Sequence, residues 1–188
     1  MLIKRKHKLF VIAFAVIILV CIMVENVHAA KFGGKLINGP RNMAYTVNGG
    51  ASAYTQNISN ASHNWMYTGY DNPIYLIPVS STNGSTVDYY TYYQNNYTIA
   101  YTAFFDSNNN SQSPSTNYLY CQILFNDKYK YDQSINHDGV AAHELGHALG
   151  LAHTNNKYSI MCQTGKGRQV ERPQKIDNDE IVQMYGRY

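Results

Sequence analysis

The sequence has little charge. Only 14% of its 188 residues are Asp, Glu, Lys or Arg, and the formal net charge is +3. Four of the 15 basic residues and one of the 12 acidic residues lie within residues 1–29, so the rest of the chain carries 11 of each. No basic stripe interrupts that balance, and we therefore expect no nucleic-acid partner. Tyr, Asn, Ser and Thr supply the polarity instead, a composition that suits an exported domain containing β-structure.

Cysteine is also scarce, with three in the chain. Cys21 lies within the first 29 residues, which leaves Cys121 and Cys162 as a pair. An even count in an exported protein indicates a disulfide, and the alternative is two free thiols. We predict the disulfide between Cys121 and Cys162.

Long apolar runs are absent except for one, an uncharged stretch over residues 9–24. Basic residues precede it between Lys4 and Lys8, and small residues follow it at Ala29 and Ala30. This order predicts a signal peptide over residues 1–29 and hence a secreted protein. The alternative is an uncleaved N-terminal anchor that holds the protein to a membrane and facing outside, because the run is nearly long enough to span a bilayer. About 160 residues then form one domain, residues 30–188.

Three histidines and one glutamate dominate residues 143–153. His143 and His147 are four residues apart, so on a helix they share one face and can bind a single Zn²⁺. Glu144 lies beside them, within reach of a water molecule on the metal. An amphipathic core helix with incidental histidines is the alternative explanation of the same pattern.

Gly150 and His153 extend the motif. Glycine adopts the left-handed backbone that ends a helix, so the chain can turn after Gly150 and return His153 as a third ligand. Three protein ligands leave the fourth position of the metal for water. That arrangement is typical of catalytic zinc rather than of a closed structural site.

The spacing His-Glu-x-x-His-x-x-Gly-x-x-His resembles the zinc-binding signature of the metzincins, which follow it with a turn that carries a methionine beneath the metal. Met161, in Ser159-Ile160-Met161, lies where that turn should fall. The resemblance implies that Met161 is a packing floor and not a ligand, which agrees with the usual role of methionine in protein cores.

Within the metzincins the chain looks most like the matrixins. Thr154 resembles their serine after the third histidine, residues 99–105 resemble the strand along their active cleft, and Met184-Tyr185-Gly186 resembles the end of their last helix. The resemblance implies an α+β fold, a metzincin-like catalytic domain. It would have a twisted, mixed five-stranded sheet, an active-site helix, the methionine turn and a C-terminal helix.

The hydrophobic pattern predicts the positions of these elements. Predicted strands cover residues 43–47, 74–79, 86–93, 98–105 and 118–125. Predicted helices cover residues 51–68, 139–149 and 178–185, the last two with Asp138 and Asp177 as their N-caps.

The resemblance also implies the cofactors. One catalytic zinc is expected on His143, His147 and His153. Tyr101 and Leu124 stand where animal matrixins carry histidines for a structural zinc, so a second zinc is not expected. Calcium through Asp106 or Asp127 is a further hypothesis, although surface carboxylates are usually only solvated.

Together these features predict a secreted zinc-dependent endopeptidase, a monomer that hydrolyses protein or peptide substrates. Glu144 would act as general base and then as general acid on a zinc-activated water. The edge strand, at Ile99, Tyr101 and Ala103, would hold the substrate main chain. A zinc-binding protein without catalysis is the competing class, and the intact Glu144 favours the enzyme.

Overall fold

The computed structural model describes residues 30–187. The predicted signal peptide or anchor, residues 1–29, and Cys21 lie outside the described residues. Within those residues no helix is both long enough and apolar enough to cross a bilayer.

A mixed six-stranded sheet forms the centre of the fold, with strand order β2-β1-β3-β6-β4-β5. The first four strands in that order run parallel, and β4 runs antiparallel to its neighbours β6 and β5. Valine, threonine and aromatic residues, which favour extended backbone, are frequent in β3, β4 and β6. The strands are β1 (Met43–Val47), β2 (Leu76–Pro78), β3 (Val87–Tyr92), β4 (Ala100–Phe105), β5 (Ser111–Gln112) and β6 (Tyr120–Asn126).

Three α-helices accompany the sheet: α1 (Thr55–Met66), α2 (His137–Ala148) and α3 (Lys175–Tyr185). A 3₁₀ turn at Gly49–Tyr54 takes the place of the predicted first turn of α1. The predicted caps are wrong for the other two helices. The side chain of Asn136, not that of Asp138, caps α2 by accepting the Gly139 N–H at 3.0 Å. Helix α3 begins at Lys175, and Asp177 lies in its first turn as the partner of Gln174 in a capping box.

Helices α1 and α2 pack against each other and over one face of the sheet. Alternate residues of the central strands, such as Val87 and Tyr89 on β3 and Cys121, Ile123 and Phe125 on β6, face this helical layer and are buried. Trp65 of α1 is completely buried, and its indole Nε1–H donates a 2.8 Å hydrogen bond to the Ala142 carbonyl of α2. This contact fixes α2, which carries most of the site, against the rest of the core.

The predicted fold class is confirmed, with one addition. The sheet has a sixth strand, β5, of only two residues, in an Asn- and Ser-rich segment between the predicted strands 98–105 and 118–125. It pairs with Phe104 and Phe105 at the end of β4. So short a strand has no sequence pattern of its own, because its pairing depends on the neighbouring strand.

The predicted disulfide is wrong for this structure, in which Cys121 and Cys162 are both buried free thiols. Cys121 lies on β6 between Val87 of β3 and Phe104 of β4, within the hydrophobic core. Burial raises the pKa of the Cys121 thiol well above its usual range. Cys162 is instead paired with Thr154 in a loop that follows Met161. Cysteine counting does not reveal that the two side chains belong to different parts of the fold.

Candidate active site

His143 and His147 project from α2 with one ring nitrogen of each already bonded. Nδ1 of His143 lies 2.8 Å from the carbonyl oxygen of Ile160, and Nδ1 of His147 lies 2.7 Å from that of Leu151. A carbonyl oxygen can only accept, so each Nδ1 carries the proton. The lone pair of each ring is therefore on Nε2, the arrangement that second-shell carbonyls impose on metal-ligating histidines.

The chain reverses after α2 and returns His153 to the same point. Gly150 has a φ of 99°, a backbone conformation that side-chain-bearing residues rarely adopt. Nε2 of His153 lies 3.1 Å from Nε2 of His143 and 3.1 Å from Nε2 of His147. Ligands of a tetrahedral zinc at the usual Zn–N distance are roughly 3.3 Å apart, so the three nitrogens fit one zinc ion. Among the described residues, these histidines form the one group of three or more potential ligands close enough to share an ion.

The three imidazoles are also in the protonation state that a metal requires. Burial, the largest cause, lowers the pKa of His147 and of His153 to about 4 and lowers that of His143 well below its usual value. The neighbouring imidazoles lower the pKa of His143 and His153 further. Neutral rings with free Nε2 lone pairs are metal ligands, whereas imidazolium rings are not.

Glu144 follows the first histidine and is 6% exposed. Burial raises the pKa of its carboxyl group to about 7, against the opposing effects of a hydrogen bond from Thr102 and the positive charge of Arg168. The Thr102 hydroxyl lies 2.8 Å from Oε2 of Glu144 and 3.0 Å from the Glu144 main-chain oxygen. A carboxyl group with a pKa near neutrality can both accept and release a proton.

Met161 lies directly beneath α2 and is completely buried. A Cβ atom at Gly146 would lie 2.3 Å from the Met161 sulfur, so this close approach requires the glycine. The backbone beside Met161 is held by Asp177 of α3, whose carboxylate accepts the Ile160 N–H at 3.1 Å and the Ser159 hydroxyl. Since the Ile160 carbonyl orients His143, this buried network supports a metal ligand from below.

A cleft of about 800 Å³ runs between β4 and the loop after Met161. Its lining includes the three histidines, Glu144, residues 97–104 and the wall residues from Gln163 to Lys166, with Arg168. Phe32 closes one side, with its ring centroid 5.4 Å from that of His147. The site residues that the motif predicted are therefore brought together at one concave surface.

The register of β4 corrects the predicted substrate-binding positions. The Ile99 carbonyl accepts the Asn126 N–H and the Phe105 carbonyl accepts the Leu119 N–H, so the main-chain groups of odd-numbered residues point into the sheet. Alternation then directs those of Tyr101 and Ala103 towards β6 as well. The outward main-chain groups belong to Ala100 and Thr102, at the part of the β4 edge that β5 leaves uncovered.

Comparison with known proteins agrees with this geometry. The family model described as Matrixin matches residues 43–186. The chain belongs to the matrixin family. Matrixins are a family of metalloproteases, a class of peptide hydrolase.

One curated relative of this matrixin is a putative matrix metalloproteinase of Trichoplusia ni ascovirus 2c. The two proteins are 52% identical over 44 residues, which cover 21% of this chain and 9% of the viral protein. This matrixin thus spans a small part of that relative's length.

Sequence reasoning missed two residues of the cleft, Thr102 and Phe32, and gave no separate role to Arg168 in the predicted wall of residues 162–176. Thr102 lay within a predicted strand, and strand alternation alone would have placed it on the face opposite Tyr101 and Ala103. Phe32 is far from the motif in sequence, and only tertiary packing reveals it. The Arg168 side chain is 3% exposed and forms a 2.9 Å ion pair with Glu171.

Proposed function

We propose that this matrixin is a secreted zinc-dependent endopeptidase with Glu144 as its general base and acid. The observation that carries the proposal is the convergence of three Nε2 atoms, each 3.1 Å from its nearest partner, beside a buried carboxyl group. The zinc itself rests on the family and on the fit of these nitrogens. In the proposal His143, His147 and His153 hold the ion, and Met161 packs beneath them.

Bound zinc would supply Lewis-acid polarisation of the scissile carbonyl and activation of a water molecule. The protein's own contribution is proton transfer. Glu144 accepts a proton from the attacking water and passes it to the nitrogen of the leaving amine, a change of role that suits a carboxyl group with a pKa of about 7. Thr102 fixes the orientation of that carboxyl group through its hydrogen bond to Oε2.

The substrate main chain would add as a strand to the open edge of β4. We propose that the outward N–H and C=O groups of Ala100 and Thr102 bind it, in the manner of β-augmentation. The loop from Gln163 to Arg168 forms the wall beside the side chain that follows the cleaved bond. Lys166 and Arg168 are the positive charges on that wall, and Glu171 already pairs with Arg168 at 2.9 Å. The exposed Lys166 ammonium would therefore attract an acidic side chain there.

Secretion through a leader at residues 1–29, a monomeric state and the absence of a nucleic-acid partner remain predictions. Mass spectrometry of the mature N-terminus distinguishes a cleaved signal from an anchor. Calcium also remains a prediction. Asp106 already accepts four hydrogen bonds from the main-chain N–H groups of Asn108 and Asn110 and from the side chains of Asn110 and Gln112.

The test of the proposal is the variant Glu144→Ala. It should retain one zinc per chain by elemental analysis and an unchanged melting temperature, and lose about 10²–10⁴-fold in kcat on a generic protein substrate. Asp132→Asn, at an exposed acid in the loop before α2, is the matched control and should keep full activity. Undiminished cleavage by Glu144→Ala would contradict the mechanism. Zinc binding by the native protein without any cleavage of a peptide library would instead support the non-catalytic class.

A further inference from the structure

A second cavity, of about 650 Å³, lies on the opposite face of the sheet from α1 and α2. Its walls are the loop before β3 and the loop after β4, and its floor is formed by strand residues that alternate with the buried ones. The lining residues used below are Asp88, Tyr90, Phe105, Asp106, Tyr120 and Gln122. None of them belongs to the catalytic cleft.

Three polar groups in this cavity lack a hydrogen-bond partner among the described residues. Asp88 is 4% exposed, and both of its hydrogen bonds, from the hydroxyls of Thr46 and Ser85, end on Oδ1, which leaves Oδ2 without one. Gln122 lies directly beside Asp88 in the β3–β6 register, and its amide is also without a partner. The Tyr90 hydroxyl, two residues further along β3, is the third group. Tyr90 and Gln122 are half-buried, so all three groups face the open cavity, where they can bond a ligand or water.

Aromatic rings form the neighbouring surface. Phe105 and Tyr120 are paired across β4 and β6, and their rings are nearly parallel, at 12°, with centroids 5.0 Å apart. The Tyr120 hydroxyl donates to the Asn109 side chain at 3.0 Å, which holds its ring in place. The cavity thus offers a fixed apolar ring surface beside an acceptor and two groups that can both donate and accept.

The charges of the lining exclude two classes of ligand. The lining contains two carboxylates and no Lys, Arg or His, so an anionic ligand such as a nucleic acid or a sulfated glycan would be repelled. Both Asp106 oxygens already accept N–H groups, from the main chain and from the side chains of Asn110 and Gln112, and these partially positive hydrogens oppose a cation there. Asp88 Oδ2 is then the single free carboxylate oxygen of the lining, too few ligands for a metal ion that takes six to eight oxygens, so a neutral polar ligand fits best.

We propose that this cavity binds neutral sugar units of an oligosaccharide. The C–H face of a pyranose ring packs on aromatic rings, while its hydroxyls donate to carboxylates and exchange hydrogen bonds with amides and phenols. Phe105 and Tyr120 supply the aromatic rings. Asp88, Tyr90 and Gln122 supply the hydrogen-bonding groups. The site goes beyond peptide hydrolysis. Since it faces away from the cleft, a glycan can be held there while a peptide occupies the β4 edge.

The experiment is saturation-transfer NMR and calorimetry on the purified protein with neutral oligosaccharides of glucose, mannose and N-acetylglucosamine. A heparin oligosaccharide and calcium chloride are probes of the excluded classes. We expect binding of at least one neutral oligosaccharide at millimolar concentration or below. Gln122→Ala and Tyr90→Phe should each weaken it about fivefold, because each removes roughly one hydrogen bond. Tyr131→Ala, at an exposed tyrosine outside both cavities, is the control and should bind as the native protein does.

Both variants should cleave peptides at the native rate and give the native circular dichroism spectrum. A variant that then binds less sugar has lost the site and not the fold. Binding that is the same in the native protein, Gln122→Ala and Tyr90→Phe would overturn the proposal. So would the absence of binding by every neutral oligosaccharide, or a preference for heparin or calcium. None of these outcomes bears on Glu144, so this inference can fail while the proposed peptidase activity stands.

Discussion

The hydroxyl of Thr102 on β4 donates a 2.8 Å hydrogen bond to Oε2 of Glu144 on α2. The two residues are 42 positions apart in the chain, and the bond joins the proposed substrate strand to the proposed general base. A hydroxyl has one proton, so its donation to the carboxylate fixes one oxygen and leaves Oε1 for the attacking water. In the proposed mechanism Thr102 is thus a positioning residue, whose side chain orients Glu144 and whose main chain faces the substrate.

Thr102→Val should lower kcat about tenfold to a hundredfold and leave KM nearly unchanged. A hydrogen bond to a charged group contributes about 1.5–3 kcal/mol, and the main-chain groups on the β4 edge are the same in the variant. Steady-state kinetics on a peptide substrate measure both constants. Thr102→Ser retains the hydroxyl and should recover most of kcat. A serine variant as slow as the valine variant would show that the threonine methyl group, not the hydrogen bond, matters.

The metal-free protein should lose stability as pH falls below 6.5. The pKa of His147 and His153 is lowered from 6.5 to about 4, so between these values the unfolded chain binds more protons than the folded chain. Stability therefore falls as pH decreases through that window. The pKa of Glu144, raised from 4.5 to about 7, has the opposite effect, but the histidines outnumber it.

Urea unfolding of chelator-treated protein at several pH values measures this dependence. Glu144→Gln removes the opposing group and should make the decline steeper. Added zinc should raise the midpoint at neutral pH, because the ion binds the folded chain. A midpoint that is constant from pH 6.5 to about pH 5 would contradict the lowered histidine pKa values.

Gly146→Ala should destabilise the protein by about 1–3 kcal/mol, although alanine favours helices more than glycine does. The added Cβ would lie 2.3 Å from the Met161 sulfur and 3.1 Å from a ring carbon of Trp65. Chemical denaturation gives the change in the free energy of unfolding. Gly165→Ala is the control, because no heavy atom lies within 4 Å of its Cβ position. Equal stability of the two variants would mean that Met161 does not support α2.

Asp177→Asn should weaken zinc binding about 10- to 100-fold and lower stability. The change replaces one acceptor oxygen with an NH₂ group opposite the donors at Ser159, Ile160 and Gln174. The loop that carries the Ile160 carbonyl would lose its anchor. The His143 ring, which that carbonyl orients, would then be held less firmly. Competition with a chromogenic chelator measures the zinc affinity. Asp179→Asn, at an exposed acid on the same helix, should leave that affinity unchanged.

The sequence predicted the local parts of the site well. The spacing of His143, Glu144, Gly150 and His153 is a property of one helix and one turn, and helical geometry determines it without reference to the rest of the fold. Strand β1 was also predicted at its observed bounds, because its apolar alternation is clear and Asn48 and Gly49 end it. Strands β2, β3, β4 and β6 were placed to within about two residues of their observed bounds, and β5 was not predicted.

The parts that depend on pairing were not predictable. The choice of Ala100 and Thr102 over Ile99, Tyr101 and Ala103 follows from the register of β4 against β6, and a shift of one residue exchanges the two sets. That Cys121 and Cys162 are both free thiols is likewise a result of tertiary packing. Asn136 was overlooked as the cap of α2 because two acceptable capping residues, Asn136 and Asp138, stand close together.

The bond from His147 Nδ1 to the Leu151 carbonyl joins the second histidine to the turn that delivers the third. One seven-residue stretch, from His147 to His153, therefore sets the direction of two rings at once. Its residues can be exchanged where side chains point to solvent, but its length cannot vary. A single insertion after Leu151 would rotate His153 away from the other two nitrogens, and a deletion before Leu151 would also move its carbonyl out of reach of His147 Nδ1.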